Sequence, residues 1–297
     1  MGVVYQVRHE TRYRYGATVD VAAHMLHLLP RALPWQRVLS SAIITDPPVE
    51  RCVDGRDHFG NQVTWLFMHR PHADFTVTLE ARVVVSAGLA PVDAGPAWED
   101  VAALMRARAA WREAEFVFAS QHAPADRAAA AWASLDFPPS RPILEGLRAL
   151  NRRFSDEFRF RPGVTEVNTP VAEVLRRREG VCQDFSHLMI AALRGLGLPA
   201  RYVSGYVRTR PPPGQPARRG ADQSHAWVEA WAGPSLGWIG LDPTNGIEVR
   251  EEHVLLAWGR DFSDVSPVRG VILGGGEHGV LVSVDLAPAE NEQNDNI

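Results

Sequence analysis

Arg177-Arg178-Glu179-Gly180-Val181-Cys182-Gln183-Asp184-Phe185-Ser186-His187 is the stretch whose reading decides this chain. A helical pattern opens at Thr169-Pro170, with Thr169 as N-cap and Pro170 at the first helical position. It runs to Arg178, and Gly180 stops it. A second helix starts at or near Cys182, because Phe185, Leu188, Met189, Ala192 and Leu196 recur at helical spacing. Cys182 therefore stands at the N-terminal end of a buried stripe. A thiol attacks only as thiolate. The start of a helix offers unpaired N–H groups and a partial positive charge, which favour that form and could hold an oxyanion.

Gly195, Gly197 and Pro199 end this helix, and strand patterns follow at 200–208, 225–232 and 236–242. His225 opens the second strand in Ser224-His225-Ala226-Trp227-Val228-Glu229, and Asp242 closes the third in Gly240-Leu241-Asp242-Pro243-Thr244. Gly233-Pro234 lies midway between them. A two-residue loop there, flanked by Ala232 and Ser235, would set His225 directly opposite Asp242. Directly opposed residues share a face with Cβ atoms about 4.5–5.5 Å apart. At that distance a carboxylate can accept a hydrogen bond from the imidazole and fix its tautomer. A slip of one residue would destroy the pairing. Cys, His and Asp in separate local contexts make the set that an activated thiol nucleophile needs.

Upstream, Val3, Tyr5, Val7 and then Thr11, Tyr13, Tyr15 alternate with polar residues, as do 38–45, 63–68 and 75–85. Strands without intervening helices predict an antiparallel β domain over residues 1–90. A helical segment follows over 91–140, with patterns at 98–109 and 125–135, and 142–154 continues it. An α+β core is expected over 141–286, with the Cys182 helix packed on an antiparallel sheet, and a disordered tail over 287–297. The runs 268–273 and 280–286 predict two further strands with Gly274-Gly275-Gly276 as a turn. Arg210-Pro211-Pro212-Pro213-Gly214-Gln215-Pro216 reads as a solvated, mobile loop.

The whole chain has 297 residues, 45% hydrophobic and 22% charged, with net charge -4. That balance fits a soluble globular protein and gives no basic face for nucleic acid. No apolar run is long enough to span a bilayer, and no secretory signal is evident, so a cytoplasmic protein without a membrane partner is expected. Only Cys52 and Cys182 occur, which is no disulfide framework. Cys52 alternates with apolar residues and reads as a buried, inert thiol.

The segments Gly180-Val181-Cys182-Gln183-Asp184-Phe185, Pro199-Ala200-Arg201-Tyr202-Val203-Ser204-Gly205-Tyr206, Ser224-His225-Ala226-Trp227-Val228-Glu229 and Gly240-Leu241-Asp242-Pro243-Thr244 closely resemble the bacterial transglutaminase-like superfamily, which shares the papain-like cysteine-protease core. His9 to Tyr15, Leu29-Pro30-Arg31 and Phe59-Gly60-Asn61 resemble the β-rich domain that precedes this core, and Gly259 to Val265 resembles its C-terminal part. The resemblance implies Cys182 as nucleophile, His225 as general base and then acid, and Asp242 as the orienting carboxylate. It implies acyl transfer from an amide or ester of a peptide or protein substrate to water or an amine, through a thioester. Peptidase or amidase, transglutaminase, and an idle binding module are the readings it leaves, and it implies no cofactor.

The remaining signals are weaker. Gln183 and Asp184 could support the substrate loop, although an Asp in a first turn also complements the helix dipole. His187 falls on another face of its helix and reads as structural or supporting. Trp227, Glu229 and Trp231 share the strand face of His225, where Trp227 could wall the site. Arg208, Arg210, Arg218 and Arg219 read as solvated charge or as attraction for a substrate carboxylate. Cys182, His187, His225 and Asp242 include zinc-ligand types, but no paired cysteine or helix-spaced HExxH accompanies them, so no metal is expected. The oligomeric state is not legible.

Overall fold

The computed structural model describes residues 2–88, 93–107, 110–208 and 224–289. Its first sheet is built on β1 (Gly2–Leu26), a single strand where the sequence pattern predicts two runs. The strand survives Gly16-Ala17 because the register simply shifts there, between Arg14 and Val19. β4 (Gln62–Met68) and β5 (His72–Ser86) lie end to end along one side of β1. β2 (Gln36–Asp46) and β3 (Arg51–Arg56) flank them on the outside.

Along the other side of β1 lie β13 (Val268–Gly274) and β14 (His278–Pro288), both antiparallel to it. This corrects the expectation that the core extends through 286. It also corrects the reading of Gly274-Gly275-Gly276 as a reversing turn. All three glycines take positive φ, but they kink the chain beside Gly16 rather than fold it back. β1 carries a pairable edge along its whole length, and the last apolar run of the chain fills it. Ala287 and Pro288, expected in the tail, are the final residues of β14, whereas 290–297 lie outside the described residues.

Seven α-helices occur among the described residues: α1 (Trp98–Arg106), α2 (Trp111–Ala114), α3 (Arg127–Ala133), α4 (Ile143–Glu157), α5 (Val171–Arg177), α6 (Cys182–Gly195) and, later, α7 (Phe262–Val265). Two short strands, β6 (Arg159–Phe160) and β7 (Glu179–Gly180), pair in parallel just before α6. Pro170, not Thr169, is the N-cap of α5, while Thr169 Oγ1 accepts from the Glu166 N–H. α5 ends at Arg178, as expected, with that residue in the left-handed region (φ 57°) as its C-cap. Gly180 is needed for space: a Cβ there would stand 2.8 Å from an Asp184 carboxylate oxygen.

The core sheet runs in the order β11-β10-β9-β8-β12, with β8 Ala200–Val207, β9 Ser224–Trp231, β10 Trp238–Asp242, β11 Ile247–Glu248 and β12 His253–Gly259. α6 packs on β8 and β9 and is buried from Asp184 to Arg194, which makes it the central helix. β12 is not predicted from the sequence. Its run His253-Val254-Leu255-Leu256-Ala257-Trp258-Gly259 is buried on both faces and so lacks the alternation that marks a strand.

β12 is buried because the first sheet closes over its open edge. The Gln36 side chain donates to Leu255 O (2.7 Å) and accepts from Leu255 N–H (2.8 Å). Asn61 does the same for Trp258, accepting at 3.0 Å and donating at 2.8 Å. Each amide imitates a neighbouring strand, which is how an exposed edge is made safe. Arg31 donates to Asn61 Oδ1 (2.5 Å), and its guanidinium lies 3.5 Å from the Trp258 ring centroid. The motifs Leu29-Pro30-Arg31 and Phe59-Gly60-Asn61 therefore form the joint between the two sheets. Tyr206 on β8 adds a buried hydrogen bond to His9 Nδ1 on β1 (2.9 Å).

Candidate active site

Cys182 is the first residue of α6, and Val181 is the N-cap in extended conformation. The turn is fixed by Asp184, whose carboxylate accepts from the Val181 N–H (2.7 Å) and the Thr165 hydroxyl (2.7 Å). Burial raises the pKa of Asp184, and these two donors oppose that shift. Cys182 is half-buried, so its sulfur is neither sealed in the core nor freely solvated. The first-turn N–H groups around it have no partners within the helix.

His225 lies on β9 and Asp242 at the end of β10. The strands pair Trp231 with Trp238 and Val228 with Leu241, so His225 and Asp242 are not directly opposed. The connection is longer than two residues: Ala232 N–H reaches Gly237 O, and Gly237 N–H returns to Gly233 O. The register is displaced by two positions from the expected one. An even displacement keeps both side chains on one face, and His225 Nε2 stands 2.8 Å from Asp242 Oδ2. Cys182 lies near enough to His225 to raise its pKa through hydrogen bonding and charge. With Nε2 committed to the carboxylate, Nδ1 is the ring nitrogen left for the sulfur. The structure thus brings together all three residues singled out in the sequence.

Asp242 is fully buried and His225 is 8% exposed. Burial alone disfavours a charged ring, but the hydrogen bonds and charges of Asp242 and Cys182 outweigh it and push His225 up to about 10. Burial likewise works against the Asp242 carboxylate, yet donors from His225, His253 and Asn245 hold it well below the usual range. Both shifts favour an imidazolium beside a carboxylate.

Two members of this cluster were not read from the sequence. Asn245 donates to Asp242 Oδ2 (2.7 Å) from the same tight turn, whose Thr244 and Asn245 N–H groups hold Oδ1 (3.1 and 3.2 Å). His253, the first residue of β12, places Nε2 3.2 Å from Asp242 Oδ2. Asn245 follows Asp242-Pro243-Thr244 in a turn-forming stretch, a signal that could have found it. His253 carried none, because its strand was missed.

The other sequence candidates separate clearly. Gln183 donates to Val167 O (3.2 Å) and braces the preceding loop. Trp227 is fully buried, its ring 6.2 Å from that of His225 and edge-on to His253 at 5.3 Å. Glu229 forms a buried ion pair with Arg201 (2.6 Å), whose guanidinium sits between the Trp238 and Trp258 rings. His187 points away from the cluster: its Nε2 accepts from Phe262 N–H, its ring stacks on His122, and burial lowers its pKa to about 3. Arg208 interacts with Tyr5 in the first sheet. Arg210, Arg218, Arg219 and the proline-rich loop lie outside the described residues.

Cys52 is exposed rather than buried. It lies on β3, which among the described residues pairs with β4 alone and is largely exposed, so alternation there marked a face without a core behind it. Its thiol is pushed up by partial burial and by Asp54. Among the described residues, His225, Asp242 and His253 set their ligand atoms within 4.8 Å of one another, close enough to hold a cation. In this arrangement the His225 and His253 Nε2 atoms are both hydrogen-bonded to Asp242 Oδ2. No helix among the described residues is long and apolar enough to cross a membrane.

Comparison with known proteins gives the same outline. Residues 5–84 match the bacterial transglutaminase-like N-terminal region, and residues 133–243 match the transglutaminase-like superfamily. An uncharacterised Mycobacterium tuberculosis protein is 39% identical over 97% of this chain and 94% of its own length. A Mycobacterium leprae relative, also uncharacterised, is 30% identical over 95% and 97%. A crystal structure described as a candidate cysteine protease from Cytophaga hutchinsonii shares the fold, with a TM-score of 0.73, 20% identity and coverage of 99% of this chain and 93% of that one. The chain belongs to the transglutaminase-like superfamily, and cysteine-dependent acyl transfer or proteolysis is the class of chemistry that this membership supports.

Proposed function

We propose that this member of the transglutaminase-like superfamily is a cysteine-dependent acyl-transfer enzyme that cleaves an amide or peptide bond through a thioester on Cys182. The observation that carries the reading is the placement of His225, held by Asp242 at 2.8 Å with Cys182 near enough to raise its pKa. Cys182 Sγ attacks the substrate carbonyl carbon, and the first-turn N–H groups of α6 face the developing oxyanion. The imidazolium gives its proton to the leaving amine, and the C–N bond breaks to leave a thioester and a neutral His225. Water then attacks the thioester while His225 takes its proton. The carboxylic acid departs, and the thiolate–imidazolium pair is restored. Asp242 stays ionised throughout and orients the ring.

An amine in place of that water would make the reaction a transamidation. A Pseudomonas aeruginosa protein-glutamine gamma-glutamyltransferase supports this second reading: it is 34% identical over 100 residues, which is 32% of this chain and 15% of that protein. A peptide and amide library would be incubated with wild type and Cys182→Ala, with and without added amine, and the products weighed by mass spectrometry. Hydrolysed products from wild type alone are expected. Amine adducts would favour transamidation, and equal products from both proteins would refute the thioester.

A further inference from the structure

Asp242 Oδ2 accepts from three donors: Asn245 Nδ2 at 2.7 Å, His225 Nε2 at 2.8 Å and His253 Nε2 at 3.2 Å. Asn245 shares a turn with Asp242 and moves with it. His253 belongs to β12, at the opposite edge of the core sheet from β10 and β11. Four residues, 249–252, separate β11 from β12, and His253 at the start of β12 reaches Asp242. Its ring is fixed on the way. Nδ1 accepts from the Arg250 N–H (3.5 Å), which leaves the ring proton on Nε2 and makes His253 a donor to the carboxylate.

The space for this reach is built into the sheet. Trp227, edge-on to His253, lies across Gly205 of β8, where any Cβ would clash with the indole and with Val254 O. β12 is itself clasped by Gln36 at Leu255 and by Asn61 at Trp258. The charged groups on the outer side of His253 are Glu248, Arg250, Glu251 and Glu252, which line a cavity of about 380 Å³ with it. They stay constant when His253 alone is changed.

We infer that His253 is a positioning residue: its Nε2–H pins the Asp242 carboxylate in the orientation that serves His225, and the N-terminal sheet, by clasping β12, helps to set that geometry. The inference rests on the thioester reading given above. It requires a donor at this position, not merely a ring of the right size.

The test is the pH dependence of Cys182 alkylation by iodoacetamide, followed by peptide mass mapping, with Cys52 as internal reference. His253→Phe keeps the bulk and the contact with Trp227 but removes the donor, whereas His253→Gln supplies an amide N–H at similar reach. In His253→Phe the acid limb of the profile should move up by about one pH unit, with the rate at mildly acid pH falling ~10-fold. His253→Gln should stay within ~2-fold of wild type. A wild-type profile in His253→Phe, or equal impairment of both variants, overturns the positioning role. If wild-type Cys182 reacts no differently from Cys52, the thioester reading falls and takes this inference with it. A reactive wild-type Cys182 whose profile His253→Phe leaves unchanged sinks the inference alone.

Discussion

His24 in the first sheet and His225 in the core sheet are both buried on strands, yet their pKa values move in opposite directions. His24 stacks on Phe75 with ring centroids 4.9 Å apart, its Nε2 has no partner, and desolvation with a contribution from His72 lowers it to about 4. His225 experiences the same desolvation, but Asp242 and Cys182 reverse its effect and raise it to about 10. The first sheet uses imidazole as a flat apolar filler, whereas the core sheet uses it as a held charge. Burial raises the stakes of a titratable group, and its partner decides the sign.

The strongest way to break this contrast is Asp242→Asn. Without the carboxylate, His225 should titrate like His24, below the ordinary histidine value, and acyl transfer should fall by ~10⁴-fold. NMR of the ring and single-turnover kinetics would check both. Unchanged titration would mean that Asp242 is not the partner that holds His225 charged.

Next in size is Gln36→Met, which leaves Leu255 N–H without its partner and removes one donor from Leu255 O. A loss of about 2–4 kcal/mol is expected in chemical denaturation, because the strand that carries His253 loses its clasp. Gly205→Ala should cost about 1–3 kcal/mol or more through overpacking against Trp227. A wild-type unfolding midpoint for Gly205→Ala would show that both the Val254 backbone and the Trp227 indole have room to move. His24→Phe is the smallest change. It keeps the stack on Phe75 and removes an unsatisfied buried nitrogen, so stability should stay within about 1 kcal/mol of wild type or rise.

The pH dependence of stability sharpens the same comparison. His24 and His9 have folded values of about 4, below the ordinary 6.5, so their contribution is present above about 6.5 and lost as pH falls toward 4. His225 has a folded value above 6.5, so its contribution is present below 6.5 and lost as pH rises through about 10. His24→Phe should flatten the acid side of the stability profile, and Asp242→Asn the alkaline side. Denaturation midpoints across the range would separate the two.

The core of the candidate site was legible because its chemistry is local. Cys182 is marked by the junction of two helix patterns, and His225 and Asp242 by the ends of two strands. The expected register was two positions out, yet strand periodicity forgives an even error. What escaped was non-local. β12 lacks alternation because both its faces are covered, and its open edge is capped by side chains some two hundred residues away in sequence. With β12 went His253. β13 and β14 showed their strand patterns, but no pattern says which sheet a strand joins. Cys52 shows the converse: its alternation was real, but nothing packs over β3.

The most direct test is a ¹⁵N NMR titration of the His225 ring, with His24 as the internal contrast. A His225 ring that stays doubly protonated through neutral pH and releases its proton near 10, beside a His24 ring that stays neutral until about 4, is the expected result. A His225 that titrates at or below the ordinary 6.5, in step with His24, would contradict a histidine held charged between Cys182 and Asp242.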